Sequence, residues 1–424
     1  SLHDALPISH RVSTALSTIE TLSRFIVSTP VYRVHATRIL LLALPGIDSN
    51  DLEKTMQSLE VFTSMANYAP FYDLTKGEGD SMLALEFTQG HIDYLKRKIY
   101  DGNIESFQVD TDLEVQALKS STSAFKDLIK SFTQRLTLLL ENLPDPEISM
   151  GLESALAVSL PKFLYIMFES ISDDLFKYFR DDFFEFVFNN TYHTIATTVS
   201  EICGGIIKRD PKSFKKNARI LIEKIKDEIH ENEAGGYKGG VDIVPRDQAL
   251  FWYITILNEM VGNAGNQIID MSSEIYELSY FLMEKVKSPL VFPAAYLVNQ
   301  VLQTVTKIKV NECRLISPAY EKEHGIDEKC WGGFWNQSIR FSKENTTFDW
   351  FIPSERDVTF AVDFFNAHVS KSLENVMRLM HQYEKEKNSG LKSSSGVVDD
   401  IRLMLLFLAY LLSGVSFLLD PSFE

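Results

Sequence analysis

The chain has 424 residues, with 58 acidic against 42 basic side chains and a net charge of −16. Hydrophobic residues make up 45% and charged residues 24%, proportions that exclude a disordered tail and a simple coiled coil. The acidity argues against a non-specific nucleic-acid binder, which needs excess Lys and Arg on phosphates. A single core rarely fills such a length, so two or more domains or a repeat array are expected.

In chain order, residues 1–9 resemble a translated sequencing adapter and are set apart as a non-native or disordered leader. A helical-repeat array is then expected over 10–424. The 20 Gly and 14 Pro fall below average usage of roughly 12%. That favours long helices over many short strands. A helix over roughly Val31 to Leu44 breaks at Pro45-Gly46-Ile47-Asp48. Asn50 is expected to cap the next helix, with Glu53 three residues on. Its stripe is Leu52, Met56, Leu59, Phe62 and Met65. Residues 72–80 form a polar loop. Phe125, Leu128, Phe132, Leu136, Leu139 and Leu143 mark a long helix that ends at Pro144-Asp145-Pro146.

Ten aromatics crowd Phe163 to Phe188. They could line a ligand box or a docking surface, but a helix apolar on most sides is more simply core. Gly205 to Glu228 then carries eight bases against four acids. Lys208, Arg209, Lys212, Lys215 and Lys216 are the candidates for an anionic ligand there; a solvated face with intrahelical ion pairs is the plainer reading. Asp51 to Glu114 runs the other way, with 13 acids against five bases, and could recruit basic partners. Loops are expected at 231–242 and 388–397. Aromatics from Trp331 to Phe351 suggest an ordered loop. Leu403 to Leu419 is apolar and near the lower limit of a membrane span. Its Ser413, Gly414 and Ser416 and its flanking acids suit a buried helix instead.

Helix pairs recur from near His10, Asn50, Asp112, Asp173 and Arg246, at irregular intervals of roughly 40 to 70 residues, the lower being the spacing of HEAT-type solenoids. The expected fold class is all-α: an α-solenoid of HEAT-like antiparallel helix pairs with long loops. Each pair buries its apolar face only by stacking on the next.

Chemistry is sparse. No GxGxxG, Walker loop, HExxH or GxSxG occurs. The nine histidines show no ligand spacing. Asp173-Asp174, Asp181-Asp182 and Asp399-Asp400 could do acid–base work. Asp173 and Asp399 are instead expected at helix starts, against the positive dipole end. As metal ligands, the acids at 173–174 and 181–182 lie two turns apart, too far for one site on a straight helix. No catalytic, cofactor or metal residues are assigned. Cys203, Cys313 and Cys330 form no CxxC pair and suit a reducing compartment. The sequons at Asn189, Asn336 and Asn345 read as chance.

Leu42 to Thr55 (Leu-Ala-Leu-Pro-Gly-Ile-Asp-Ser-Asn-Asp-Leu-Glu-Lys-Thr) resembles a segment of the large HEAT-repeat proteasome activators, the bleomycin-sensitivity or proteasome activator complex subunit 4 type. Gln248 to Gly262 and the turn Asp349-Trp350-Phe351-Ile352-Pro353-Ser354 are similar too. The resemblance covers most of the chain after residue 10, maps to the family's middle region and looks fungal. It implies a non-catalytic dome of helical repeats over the end ring of the core (20S) proteasome. That dome promotes ubiquitin-independent degradation, with links to DNA repair, histone turnover and acetylated histones, in nucleus and cytoplasm. It implies no direct nucleic acid and no membrane. Inositol phosphate is a ligand of some family members, with the Lys208–Lys226 patch as candidate. The family's C-terminal hydrophobic–tyrosine–any-residue tail is not found at Ser422-Phe423-Glu424, so the chain reads as an internal fragment. The alternative is another HEAT or armadillo-type scaffold, such as a nuclear transport receptor or a trafficking adaptor.

Overall fold

The computed structural model describes residues 2–28, 30–75, 81–100, 111–143, 151–310, 350–388 and 395–415. Chain contacts divide these into two units, one ending at Phe186 and the other starting at Val187. The expected aromatic loop from Trp331, the Pro144 stop, Cys313, Cys330 and the chain's last residues lie outside the described residues, as do parts of loops 72–80 and 388–397.

In the first unit, α1 (Leu2–Ser28), α2 (Pro30–Arg33), α3 (Ala36–Ala43) and α4 (Leu52–Tyr68) precede α5 (Ser81–Tyr100) and α6 (Thr111–Ser121). Next come α7 (Phe125–Glu141), α8 (Leu152–Ser170) and α9 (Asp173–Asn189), whose residues from Val187 on belong to the second unit. The backbone of α1 is helical from Leu2, so the leader set apart above lies within helix. One row stacks α1 on α4 and α4 on α8, while α3 packs on α7. The predicted stripe of α7 is its buried face, with Phe125, Leu128, Phe132 and Leu136 fully enclosed. Each such side chain contributes about 1.5–3 kcal/mol. The aromatic run is core: Phe168, Phe176, Phe179 and Phe183 are buried and pack ring on ring at 5.0–6.4 Å.

In the second unit, α10 (Ala196–Arg209), α11 (Phe214–Glu231), α12 (Gln248–Asn263) and α13 (Ser272–Lys285) lead to α14 (Val291–Thr306). A two-residue ladder follows, β1 (Lys309–Val310) antiparallel to β2 (Trp350–Phe351), then α15 (Glu355–Asn388) and α16 (Ser395–Gly414). Every second helix joins one row: α10 on α12, α12 on α14, α14 on α16. Helices α11, α13 and α15 are tied across the other side by ion pairs and rings described below. Stacked helix pairs produce two such rows.

Small residues set the spacing of the first row. A Cβ on Gly204 would meet Asn263 of α12, one on Gly262 would meet Gln300 of α14, and one on Gly414 would meet Leu302 and the Asn299 Cα of α14. Asn299 also donates to the Tyr410 carbonyl at 3.1 Å and to Ser413 Oγ at 2.8 Å, binding α14 to α16. Ser413 and Gly414, read above as marks of a buried helix, are thus contact residues. No helix among the described residues is long and apolar enough to cross a membrane.

The loop 231–242 is present but tied down. Lys287 N donates to the Gly235 carbonyl, Tyr237 N to the Ser288 carbonyl, and Gly235 N to buried Asp247. Gly236 has φ +78°, and a Cβ there would lie 2.5 Å from the Lys287 carbonyl.

Two helix starts differ from expectation. Asp51, not Asn50, caps α4: its carboxylate accepts from Lys54 N at 3.1 Å. Asn50 instead donates to Asp48 Oδ1. Asp399-Asp400 lie beyond the first turn of α16, because that helix begins at Ser395. The pair meets Arg402 and Lys238 rather than the helix dipole.

Candidate functional site

The acids with a claim to chemistry are spread out. Asp173 and Asp174 occupy the first turn of α9, where the helix dipole favours negative charge. Asp181, two turns on, lies 2.7 Å from Arg180. Among the described residues no group of three His, Cys, Asp or Glu could hold a metal ion. Cys203 is fully buried, and burial holds its thiol far up, so it is a core residue and not a nucleophile.

The basic stretch divides. Lys208 and Arg209 end α10, Lys212 sits in a 3₁₀ turn, and Lys215 and Lys216 begin α11. Arg209 is buried. Lys215 pairs with Asp270 at 2.7 Å, Arg219 with Glu274 at 3.0 Å and Lys226 with Glu277 at 2.5 Å. Arg356 of α15 reaches the second oxygen of Asp270 at 3.2 Å. The hydrogen bond from Lys215, then that from Arg356, holds the Asp270 carboxyl below its ordinary range. Lys224 lies 5.3 Å from the centre of the Tyr253 ring. The patch is therefore a ladder between helices, where the plainer reading had pairs within one helix. Lys212 and Lys216 stay exposed.

Two clusters escaped the sequence. His35 and His91 lie fifty-six positions apart in sequence, yet their rings stand 6.0 Å apart, and burial lowers both. No short spacing could have shown this. The second is Lys309 on β1. Its Nζ donates to the Gly262 carbonyl at 2.9 Å and Thr304 Oγ1 at 3.2 Å, and sits 5.9 Å from the Phe351 ring centre. Burial first, and then the charges of Lys208 and Lys307, push its ammonium down to about 8.

Residues 1–419 match the family model described as proteasome activator complex subunit 4, mid HEAT repeats region. The chain belongs to this family. Proteasome activator BLM10 of Saccharomyces cerevisiae is 27% identical over 98% of the chain. Proteasome activator complex subunit 4 is 20% identical in Homo sapiens, over 89% of the chain, and 20% in Xenopus laevis, over 88%. The chain spans 19% of the length of each of these relatives.

Within this proteasome-activator family chain, the segments that carry the resemblance are structural joints. A Cβ on Gly46 would fall 2.0 Å from Ser58 Oγ and 3.2 Å from Ser58 Cβ, so glycine lets the turn after Pro45 lie close against α4 without displacing Ser58. Thr55 Oγ1 donates to the Asp48 carbonyl at 2.7 Å and accepts from Asp48 N at 2.9 Å. At the later turn, Ser354 caps α15. Its N and Oγ donate to Asp357 Oδ2 at 2.8 and 2.6 Å, and its Oγ accepts from Asp357 N. This is a capping box with Asp in the place of Glu. Gln248 to Gly262 is nearly all of α12, whose Trp252 donates to the Val187 carbonyl at 3.1 Å. These three segments therefore serve as turns, caps and helix contacts of the HEAT-type fold.

Proposed function

We propose that this chain is the middle helical-repeat segment of a proteasome activator, working as part of a wall by shape and surface and without covalent chemistry. The family match over residues 1–419 carries this reading. The alternating helix rows support it, since stacked pairs suit an extended surface better than a closed pocket. The partner is the end ring of the 20S core proteasome, and the work is ubiquitin-independent degradation in nucleus and cytoplasm.

Links to DNA repair and to turnover of acetylated histones extend the same proposal. Basic tails would meet the acid-rich first unit, where Glu53 and Glu86 are exposed. An anionic ligand such as inositol phosphate would fall to Lys208, Lys212 and Lys216, since Lys215 is engaged and Arg209 buried. The direct test mixes the full-length activator containing this segment with purified 20S particles on a native gel. Co-migration supports the proposal. Separate migration, under conditions where the yeast relative binds, overturns it.

A further inference from the structure

Lys309 is set up unlike the lysines around it. A neutral amine has two N–H bonds and an ammonium three. The site offers two close acceptors, the Gly262 carbonyl and Thr304 Oγ1. Thr304 is itself fixed, donating to Gly262 O at 3.2 Å and accepting from Gly265 N at 2.9 Å. No carboxylate among the described residues pairs with Lys309. The charges that act on it are Lys208 at the end of α10 and Lys307 just past α14, both positive. Desolvation beside other cations is the arrangement that turns a lysine into a nucleophile at neutral pH. As a residue Lys309 is half-buried.

We propose that Lys309 is an acylation site that takes acyl groups from small anionic donors of the acyl-phosphate class, with Lys208 and Lys307 attracting the phosphate. The Nζ lone pair attacks the acyl carbon and an N–C bond forms. The C–O bond to phosphate breaks, and inorganic phosphate leaves with the electron pair. The nitrogen gives one proton to water, and nothing is oxidised or reduced. The amide product keeps one N–H for the Gly262 carbonyl and sheds the charge that Lys208 and Lys307 repel.

The test incubates the full-length activator that contains this segment with acetyl phosphate near neutral pH and follows each lysine of the segment by peptide mass spectrometry. Lys309 is expected to label about tenfold faster than exposed Lys216, as its larger neutral fraction outweighs its lower basicity. The double variant Lys208→Gln and Lys307→Gln leaves Lys309 in place. With unchanged circular dichroism, it should slow Lys309 labelling severalfold and move its pH midpoint upward. It should slow labelling by neutral p-nitrophenyl acetate less. Labelling of Lys309 no faster than Lys216 overturns the proposal. A double variant that labels like the parent removes the role of the two neighbours and overturns it as well.

Discussion

Ser279 Oγ lies 2.7 Å from His368 Nε2 in the buried seam between α13 and α15. The other ring nitrogen, Nδ1, lies 2.8 Å from the Phe364 carbonyl, which can only accept, so Nδ1 carries the proton. Nε2 is then left as an acceptor facing Ser279, whose one hydroxyl proton has both Nε2 and the Tyr276 carbonyl, at 2.9 Å, within reach. The ring stacks on Phe364 at 3.9 Å and on Tyr280 at 4.5 Å. Burial dominates, and pushes the imidazole down to about 4 although the Phe364 bond works the other way.

This seam makes stability depend on acid. The folded value lies below the ordinary 6.5 of histidine, so the unfolded chain takes up the proton first. Stability is full above about pH 6.5 and falls as the pH drops toward 4, by about 3 kcal/mol in all from this residue. His35 and His91 act in the same direction. Urea midpoints measured from pH 7 to 4 should decline for the parent chain. They should decline less steeply for His368→Gln, although that variant starts lower because the stacking is lost. Equal slopes would contradict this.

Glycine contacts should differ in cost by what the new Cβ meets. Gly236→Ala strikes two backbone carbonyls at 2.5 and 2.6 Å with φ positive, and should cost about 2–3 kcal/mol. Gly262→Ala meets the end of the Gln300 side chain, which can swing aside, and should cost less. Denaturant melts of the two variants rank them, and the reverse order would show that the 235–240 loop yields more easily than the α12–α14 contact.

The cap assignment is open to the same measurement. Asp51→Ala removes the carboxylate that accepts from Lys54 N and should cost about 1 kcal/mol, with Asn50→Ala closer to neutral. Thr55→Val loses both bonds to Asp48 and should cost about 1–2 kcal/mol. An Asn50 effect larger than that of Asp51 would restore the cap expected from sequence.

The all-α character, the starts of α6, α7 and α9 and the buried stripe of α7 were legible because helical spacing and turn residues are local signals. The cap at Asp51 was missed by one position, as Asp48, Asn50 and Asp51 are all competent caps and only the fold chooses. The acids at 399–400 misled because four further residues join the helix before them. The basic stretch was seen, but its partners Asp270, Glu274 and Glu277 stand more than fifty positions away, beyond any helical period. Lys309 and the His35–His91 pair were illegible for that same reason. They are made by packing between elements, and the sequence holds only one half of each contact in view.

Hydrolysis of a fluorogenic peptide by purified 20S proteasome is the most direct check on the central reading. It should be followed with and without the full-length activator that contains this segment. A saturable rise in rate is expected as the activator is added. A rate that stays at the level of the particle alone, when the yeast relative raises it in parallel, would contradict it.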